Sequence, residues 1–187
     1  CRGLGPLAER LGAVNPLVPL ACGGWHGTNT DVEGFCAPLR RCGSSWGGKR
    51  AVVLGCGGSA RAVVAGLVEL GFNSIQLAGR RADALAAFLA DCQGWAPQLQ
   101  ALSWASESGS LADALTQADL VVNTTPVGMA SASNPAAAEA CPLNDGELSA
   151  LQSGASVYDI IYTPRPTQLL QRATSRGCRS FDGLEML

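Results

Sequence analysis

From Lys49 onward the chain sets short apolar runs between longer stretches whose apolar residues recur at helical spacing, as a parallel sheet with crossover helices requires. Residues 51–54, 74–78, 120–123 and 157–161 read as strands, with a weaker one at 101–103. Residues 60–70, 82–90, 111–117 and 167–176 read as the helices around them. The expected fold class is therefore α/β, a doubly wound parallel sheet. Residues 124–145, with three prolines and a run of small residues, exceed an ordinary connection and form a candidate functional loop. Ahead of Gly47 the pattern changes to a short helix ending near Leu11, a possible strand at 13–18, a polar loop and a helix over 32–42. These elements are too few to enclose a core. Residues 1–46 thus read as the remnant of a preceding α/β domain with its linker, and residues 47–187 as the sheet domain.

Composition narrows the possible partners. With 187 residues, 47% apolar content and 23 glycines, there is room for one well-packed domain and part of another. The net charge is −2 and basic residues never run beyond a pair, so neither a nucleic-acid surface nor a charged tail is indicated. Small-molecule partners are expected, with the protein a monomer or homodimer. Eight cysteines, at 1, 22, 36, 42, 56, 92, 141 and 178, include no C-x-x-C, and His26 is the single available imidazole, which argues against a metal site. No basic-then-apolar leader and no run of about 18 apolar residues occurs, so no signal peptide or membrane span is read. The cysteines are expected to be reduced thiols in the cytoplasm. The chain begins at Cys1 and its methionines are Met129 and Met186, as expected of a fragment.

Gly55-Cys56-Gly57-Gly58-Ser59-Ala60 is a G-x-G-x-x-A string that directly follows a predicted strand and opens a predicted helix. In that context Gly55 permits a tight turn, Gly57 lets the backbone approach a pyrophosphate, and Ala60 allows close helix–strand packing; the helix amides attract the anion. Where an NAD-binding fold usually offers an acid to the ribose, at the end of the second strand, this chain has Arg80 and Arg81. Charge-assisted bonds from arginine to a 2′-phosphate are worth about 1.5–3 kcal/mol each, so NADP is expected over NAD. Arginines at a helix start otherwise oppose the helix dipole.

The polar loop Gly27-Thr28-Asn29-Thr30-Asp31-Val32-Glu33-Gly34-Phe35 lies upstream of this turn. Asp31 is the one ionisable group in its T-N-T-D cluster. Its carboxylate would either cap the following helix or accept a substrate hydroxyl and orient a proton-transfer partner, because hydride removal from an alcohol carbon requires the hydroxyl proton to leave as well. His26, without a paired acid in the sequence, is expected to be a surface or packing residue, and Cys56 a small residue that fits the turn.

In order, the motifs resemble those of the shikimate dehydrogenases. Gly12-Ala13-Val14-Asn15 is similar to the family's G-A-x-N-T segment, with Pro16 in place of the threonine, and Asn29-Thr30-Asp31 with Gly34-Phe35 to its N-T-D-x-x-G-F loop. Gly55–Arg61 matches its cofactor turn and Asn123-Thr124-Thr125-Pro126-Val127-Gly128-Met129 its N-x-T-P-x-G-M segment. Asp159-Ile160-Ile161-Tyr162, with Pro164, Thr167, Leu169 and Leu170, matches D-x-x-Y-x-P-x-x-T-x-L-L, and Gly183 with Met186-Leu187 matches G-x-x-M-L.

The resemblance implies a Rossmann-like domain beside a substrate-binding domain, and NADPH-dependent, reversible reduction of 3-dehydroshikimate to shikimate in aromatic amino acid biosynthesis. By the same resemblance Asn15, Asp31 and Tyr162 contact substrate, with Asp31 paired to a catalytic lysine. Gly55, Cys56, Gly57, Gly58, Ser59, Arg80, Arg81, Ile160 and Gly183 line the cofactor. The family's N-R-T-x-x-K signature appears here as Gly79-Arg80-Arg81-Ala82-Asp83-Ala84, which keeps the arginine and loses the asparagine and the lysine. The family's catalytic lysine precedes the Asn15 position, and Lys49 is the only lysine in this chain. A quinate-type dehydrogenase and a non-catalytic dinucleotide-binding module are the alternative expectations.

Overall fold

The computed structural model describes residues 3–12, 14–104 and 110–186; the strand start expected at Ala13 and the closing Leu187 of G-x-x-M-L lie outside the described residues. At the amino end, β1 (Gly3–Leu4), α1 (Pro6–Leu11), β2 (Leu17–Pro19) and β3 (Trp25–Gly27) precede α2 (Asp31–Arg41). β3 lies between β1, to which it is parallel, and β2, to which it is antiparallel. The remainder runs β4 (Arg50–Leu54), α3 (Gly58–Glu69), β5 (Ser74–Gly79), α4 (Ala82–Cys92), β6 (Leu99–Ser103), α5 (Ser110–Leu115) and β7 (Leu120–Asn123). It continues through α6 (Asp145–Ser149), β8 (Ser156–Asp159), α7 (Gln168–Thr174) and β9 (Arg179–Asp182) to a 3₁₀ turn at Gly183–Met186.

These six strands form one parallel sheet in the order β6-β5-β4-β7-β8-β9. This is the doubly wound, Rossmann-like order. Strand residues alternate between two cores, as side chains of period two must. Ala51, Val53, Ile75, Leu77 and Val122 pack with α2, α3 and α4 on one face. Val52, Leu54, Ala78, Val121 and Val157 pack with α5, α6 and α7 on the other. Burial on both faces explains why the central strands are continuous apolar runs.

α2 is seated unusually close to the sheet domain. A Cβ on Gly66 of α3 would lie 2.6 Å from the Phe35 ring and 2.8 Å from Cys36 Sγ, and one on Gly34 would lie 2.8 Å from Met186 Cα. Arg40 of α2 also bridges Glu33 at 2.6 Å and Glu69 of α3 at 3.3 Å. Gly66→Ala is therefore expected to overpack this contact and lower stability by about 1–3 kcal/mol in urea unfolding, with Phe35→Leu in the same chain recovering part of the loss.

Differences from the sequence expectation fall at the margins. β3 and β9 are short and partly exposed and lack a clean alternation, and α6 starts at the last residue of the long loop expected over 124–145. β8 stops at Asp159 because the Ile161 N–H turns back to the Asp159 carboxylate, at 3.1 Å, instead of continuing the ladder. The seven cysteines among the described residues are free thiols. No helix among the described residues is long and apolar enough to cross a membrane.

Candidate active site

The sheet order reverses between β4 and β7, so the chains leaving their carboxyl ends part and open a crevice. Gly55, the residue after β4, has φ +98° and donates its N–H to Ala78 O at 2.8 Å. A Cβ there would approach Thr125 Cγ2 to 2.9 Å and Thr124 Oγ1 to 3.0 Å, so both the turn and its close neighbours require glycine. Thr124, the residue after β7, donates its hydroxyl to Leu54 O at 2.8 Å, tying the two strand ends together. Gly57 is the extended N-cap of α3 and makes no side-chain cap bond. The amides of Gly58, Ser59 and Ala60 thus open a helix end fit for an anion.

On one side of Thr124–Pro126 lies a cleft of about 430 Å³ lined by Gly55, Cys56, Gly57, Gly79, Arg80, Arg81 and Trp104. Both arginines are exposed. The Arg80 guanidinium stands 6.0 Å from the centre of the Trp104 ring, within cation–π range. No ion pair involves Arg80 or Arg81 among the described residues. A Cβ on Gly79 would meet Leu85 Cδ1 at 3.3 Å and Cys56 Sγ at 3.4 Å, so the thiol lies alongside the end of β5. The tryptophans are scattered in sequence, which hides the partnership of Trp104 with Arg80.

On the other side lies a cleft of about 390 Å³ whose lining includes Asn15, Asp31, Ser59, Ile160, Tyr162 and Gly183. Thr124, Thr125 and Pro126 form the wall common to both clefts. Asn15 and Asp31 meet because the segment around Asn15 runs alongside Asn29: Asn15 N donates to Thr28 O at 2.7 Å and Thr30 N to Asn15 O at 2.9 Å. Asn15 Nδ2 then donates to Asp31 Oδ1 at 2.9 Å. The carboxylate of Asp31 does not cap α2; the Asp31 N–H is instead taken by Asn29 Oδ1 at 3.1 Å. Its second oxygen carries no hydrogen bond among the described residues. Tyr162 is 47% exposed at the cleft. Gly183 packs so tightly on Ile160 that any Cβ would run into the Ile160 carbonyl. Gly58 lines neither cleft and serves as the first residue of α3.

Beneath this cleft is a buried polar cluster whose residues belong to the resembling motifs but whose geometry the sequence does not disclose. Asp159 is fully buried. Its Oδ1 accepts from Asn123 Nδ2 at 3.0 Å and from Ile161 N at 3.1 Å, and its Oδ2 accepts from the Thr167 hydroxyl at 2.7 Å. Asn123 Oδ1 in turn accepts from the Thr125 amide at 3.0 Å and the Thr125 hydroxyl at 2.7 Å. Burial pushes the Asp159 carboxyl up to about 6, against the pull of Thr167, the Ile161 amide and Asn123.

No family model matches the chain. Among curated proteins, the shikimate dehydrogenase (NADP(+)) of Trichormus variabilis is 46% identical over 187 residues, covering 98% of this chain and 61% of that protein. Among solved structures, shikimate 5-dehydrogenase from Listeria monocytogenes, in complex with shikimate and NAD, aligns with a TM-score of 0.83 at 26% identity. That match covers 98% of this chain and 62% of the other. Quinate dehydrogenase from Corynebacterium glutamicum, in complex with NAD, aligns with a TM-score of 0.83 at 28% identity over 99% of this chain and 62% of its own. The chain thus spans about three fifths of the length of the proteins it matches. With the Rossmann-like sheet and its crevice described, the chain is a homologue of the shikimate dehydrogenases over the part of their length that it spans.

Proposed function

We propose that the protein carrying this chain is an NADP-dependent shikimate dehydrogenase, an oxidoreductase that interconverts shikimate and 3-dehydroshikimate. The observation that carries this reading is the meeting of the Asn15–Asp31 pair and Tyr162 in one cleft that continues, past Thr124–Pro126, to the Gly55 turn and Arg80. The curated relative named above is itself called NADP(+)-dependent. Residues 1–46 are assigned to the substrate side and residues 47–187 to the cofactor-binding domain. The free thiols suit a reducing cytoplasm.

The residues present fit a dinucleotide phosphate. The Gly55 cradle has no room for a Cβ, the start of α3 offers uncapped amides, and Arg80 and Arg81 stand exposed without ion pairs among the described residues. Gly55, Cys56, Gly57, Gly58 and Ser59 would hold the pyrophosphate, Arg80 and Arg81 the 2′-phosphate, and Ile160 and Gly183 the inner end. When bound, NADP supplies the hydride acceptor for the alcohol carbon of the substrate. Asp31, oriented through Oδ1 by Asn15, is left with Oδ2 to accept the substrate hydroxyl and to hold the proton-transfer partner. Asn15 and Tyr162 flank it as positioning contacts for the remaining hydroxyls.

The test is titration with NADP and NAD, followed by tryptophan fluorescence, and turnover of shikimate against quinate. Tighter binding of NADP is expected. Arg80→Ala with Arg81→Ala should reduce that preference by roughly one to two decades. Equal affinities for the two cofactors, or a preference unchanged in the double variant, would overturn the cofactor assignment, and turnover of quinate ahead of shikimate would overturn the substrate.

A further inference from the structure

Arg80 and Trp104 are neighbours by strand register. β5 and β6 pair in parallel with Gly79 opposite Ser103, and the next residue of each chain, Arg80 and Trp104, stands just past the paired ends. The Trp104 amide closes the junction by donating to Gly79 O at 3.1 Å. Its indole is partly buried and packs against the core that contains Leu102 and Leu111, which makes it a fixed surface. The Arg80 guanidinium lies 6.0 Å from the ring centre, and both side chains line the cleft of the Gly55 turn. Two features make the place of this one guanidinium matter. The asparagine and lysine of the resembling signature are Gly79 and Ala84 here, and Asp83 brings a carboxylate into the first turn of α4. Arg80 and Arg81 are then the cations left for a 2′-phosphate. Both stand at the start of α4, where the helix dipole disfavours a cation until an anion arrives. An exposed arginine so placed has many competing rotamers in water, and binding would have to order it. The negative face of the indole holds it at the cleft instead.

We propose that Trp104 is a positioning residue for cofactor choice: its indole fixes the Arg80 guanidinium at the cleft before the cofactor arrives, and so sets part of the preference for a ligand that carries a 2′-phosphate. The inference rests on the dinucleotide reading of the cleft. The ring makes no bond to the phosphate. It removes freedom that Arg80 would otherwise lose on binding, an effect of about three- to tenfold in affinity for one long side chain.

Dissociation constants of NADP and NAD, measured by calorimetry on the full-length protein that carries this chain, give the ratio that tests this. Any contact of the indole with the adenosine that the two cofactors share cancels in that ratio. Trp104→Leu should lower the preference for NADP about three- to tenfold, and Trp104→Phe, which keeps a weaker ring, about twofold. In an Arg80→Ala background there is no guanidinium to hold, so neither change at 104 should alter the ratio further. That result separates positioning from packing, since a ring that only supports the end of β6 would act equally in both backgrounds. Trp104→Phe keeps the test intact should Trp104→Leu misfold. An unchanged ratio in the folded variants at 104, or the same loss with and without Arg80, would overturn the proposal. A preference for NADP that survives Arg80→Ala but falls in Arg81→Ala would overturn it too, and leave the cofactor reading standing. No preference for NADP in the unmodified protein would overturn both.

Discussion

Asp31→Asn in the full-length protein should lower shikimate turnover by about 10²–10⁴-fold, the usual worth of a group acting in proton transfer, while leaving the melting temperature nearly unchanged. The second half of that expectation follows from the local geometry. If Asp31 were a helix cap, its loss would cost about 1 kcal/mol, but the first amide of α2 is taken by Asn29 and the Asp31 carboxylate faces Asn15 instead. An asparagine at 31 keeps an oxygen for Asn15 Nδ2 and forfeits only a negative charge in the first turn, worth about 0.3–1 kcal/mol. Steady-state kinetics beside a thermal melt separate the roles. A clearly lower melting temperature with near-normal turnover would reduce Asp31 to a structural residue.

The 187 residues by themselves should bind NADP and leave shikimate unreacted. Lys49 is the only lysine they contain. It is paired with Asp119 at 3.1 Å beside the first residue of β4, at the end of the sheet opposite the Gly55 turn. Without a cationic partner at Asp31 the hydroxyl proton has no organised exit, and without an opposing wall the substrate is not oriented. Orientation alone is worth up to about 7–11 kcal/mol of barrier in well-held reactions. Absorbance at the reduced-nicotinamide band, with saturating shikimate and NADP, should therefore stay at background for the 187-residue chain and rise for the full-length protein. Lys49→Met should leave cofactor binding as it was. Robust turnover by the 187 residues would remove both the need for a second wall and the pairing assigned to Asp31.

The parallel-sheet half of the molecule is legible in the sequence because local rules and tertiary structure agree there. Buried parallel strands appear as apolar runs, and the Gly55 turn needs glycine for two independent steric reasons. Less is legible at the edges of the sheet, where β9 is half-exposed and carries no alternation. The capping box of α6, Asn144 with Glu147, is a signal at the end of the long loop that sequence reading passed over. In the site, Asn15 and Asp31 are separable from ordinary polar residues only through the order of motifs, since their contact spans the chain between them and depends on the bridge from Asn15 to Asn29. The place of Trp104 beside Arg80 and the burial of Asp159 are products of packing, with no local pattern to announce them.

The seating of α2 decides what can move. Asp31 begins the helix whose Gly34 rests on Met186 and whose Phe35 and Cys36 lie over Gly66, so its carboxylate is carried by the same body as the Gly55 turn. The small sheet is joined to that body through residues 28–30, where Thr28 N donates to Pro16 O and Thr30 N to Asn15 O. Leu11 of α1 is also buried in the core that α2 and α3 share, so the small sheet is held to that body by packing as well as by the chain. Asn15 therefore meets Asp31 across a junction packed on both sides, and its amide reaches a carboxylate whose helix is seated on the parallel-sheet domain.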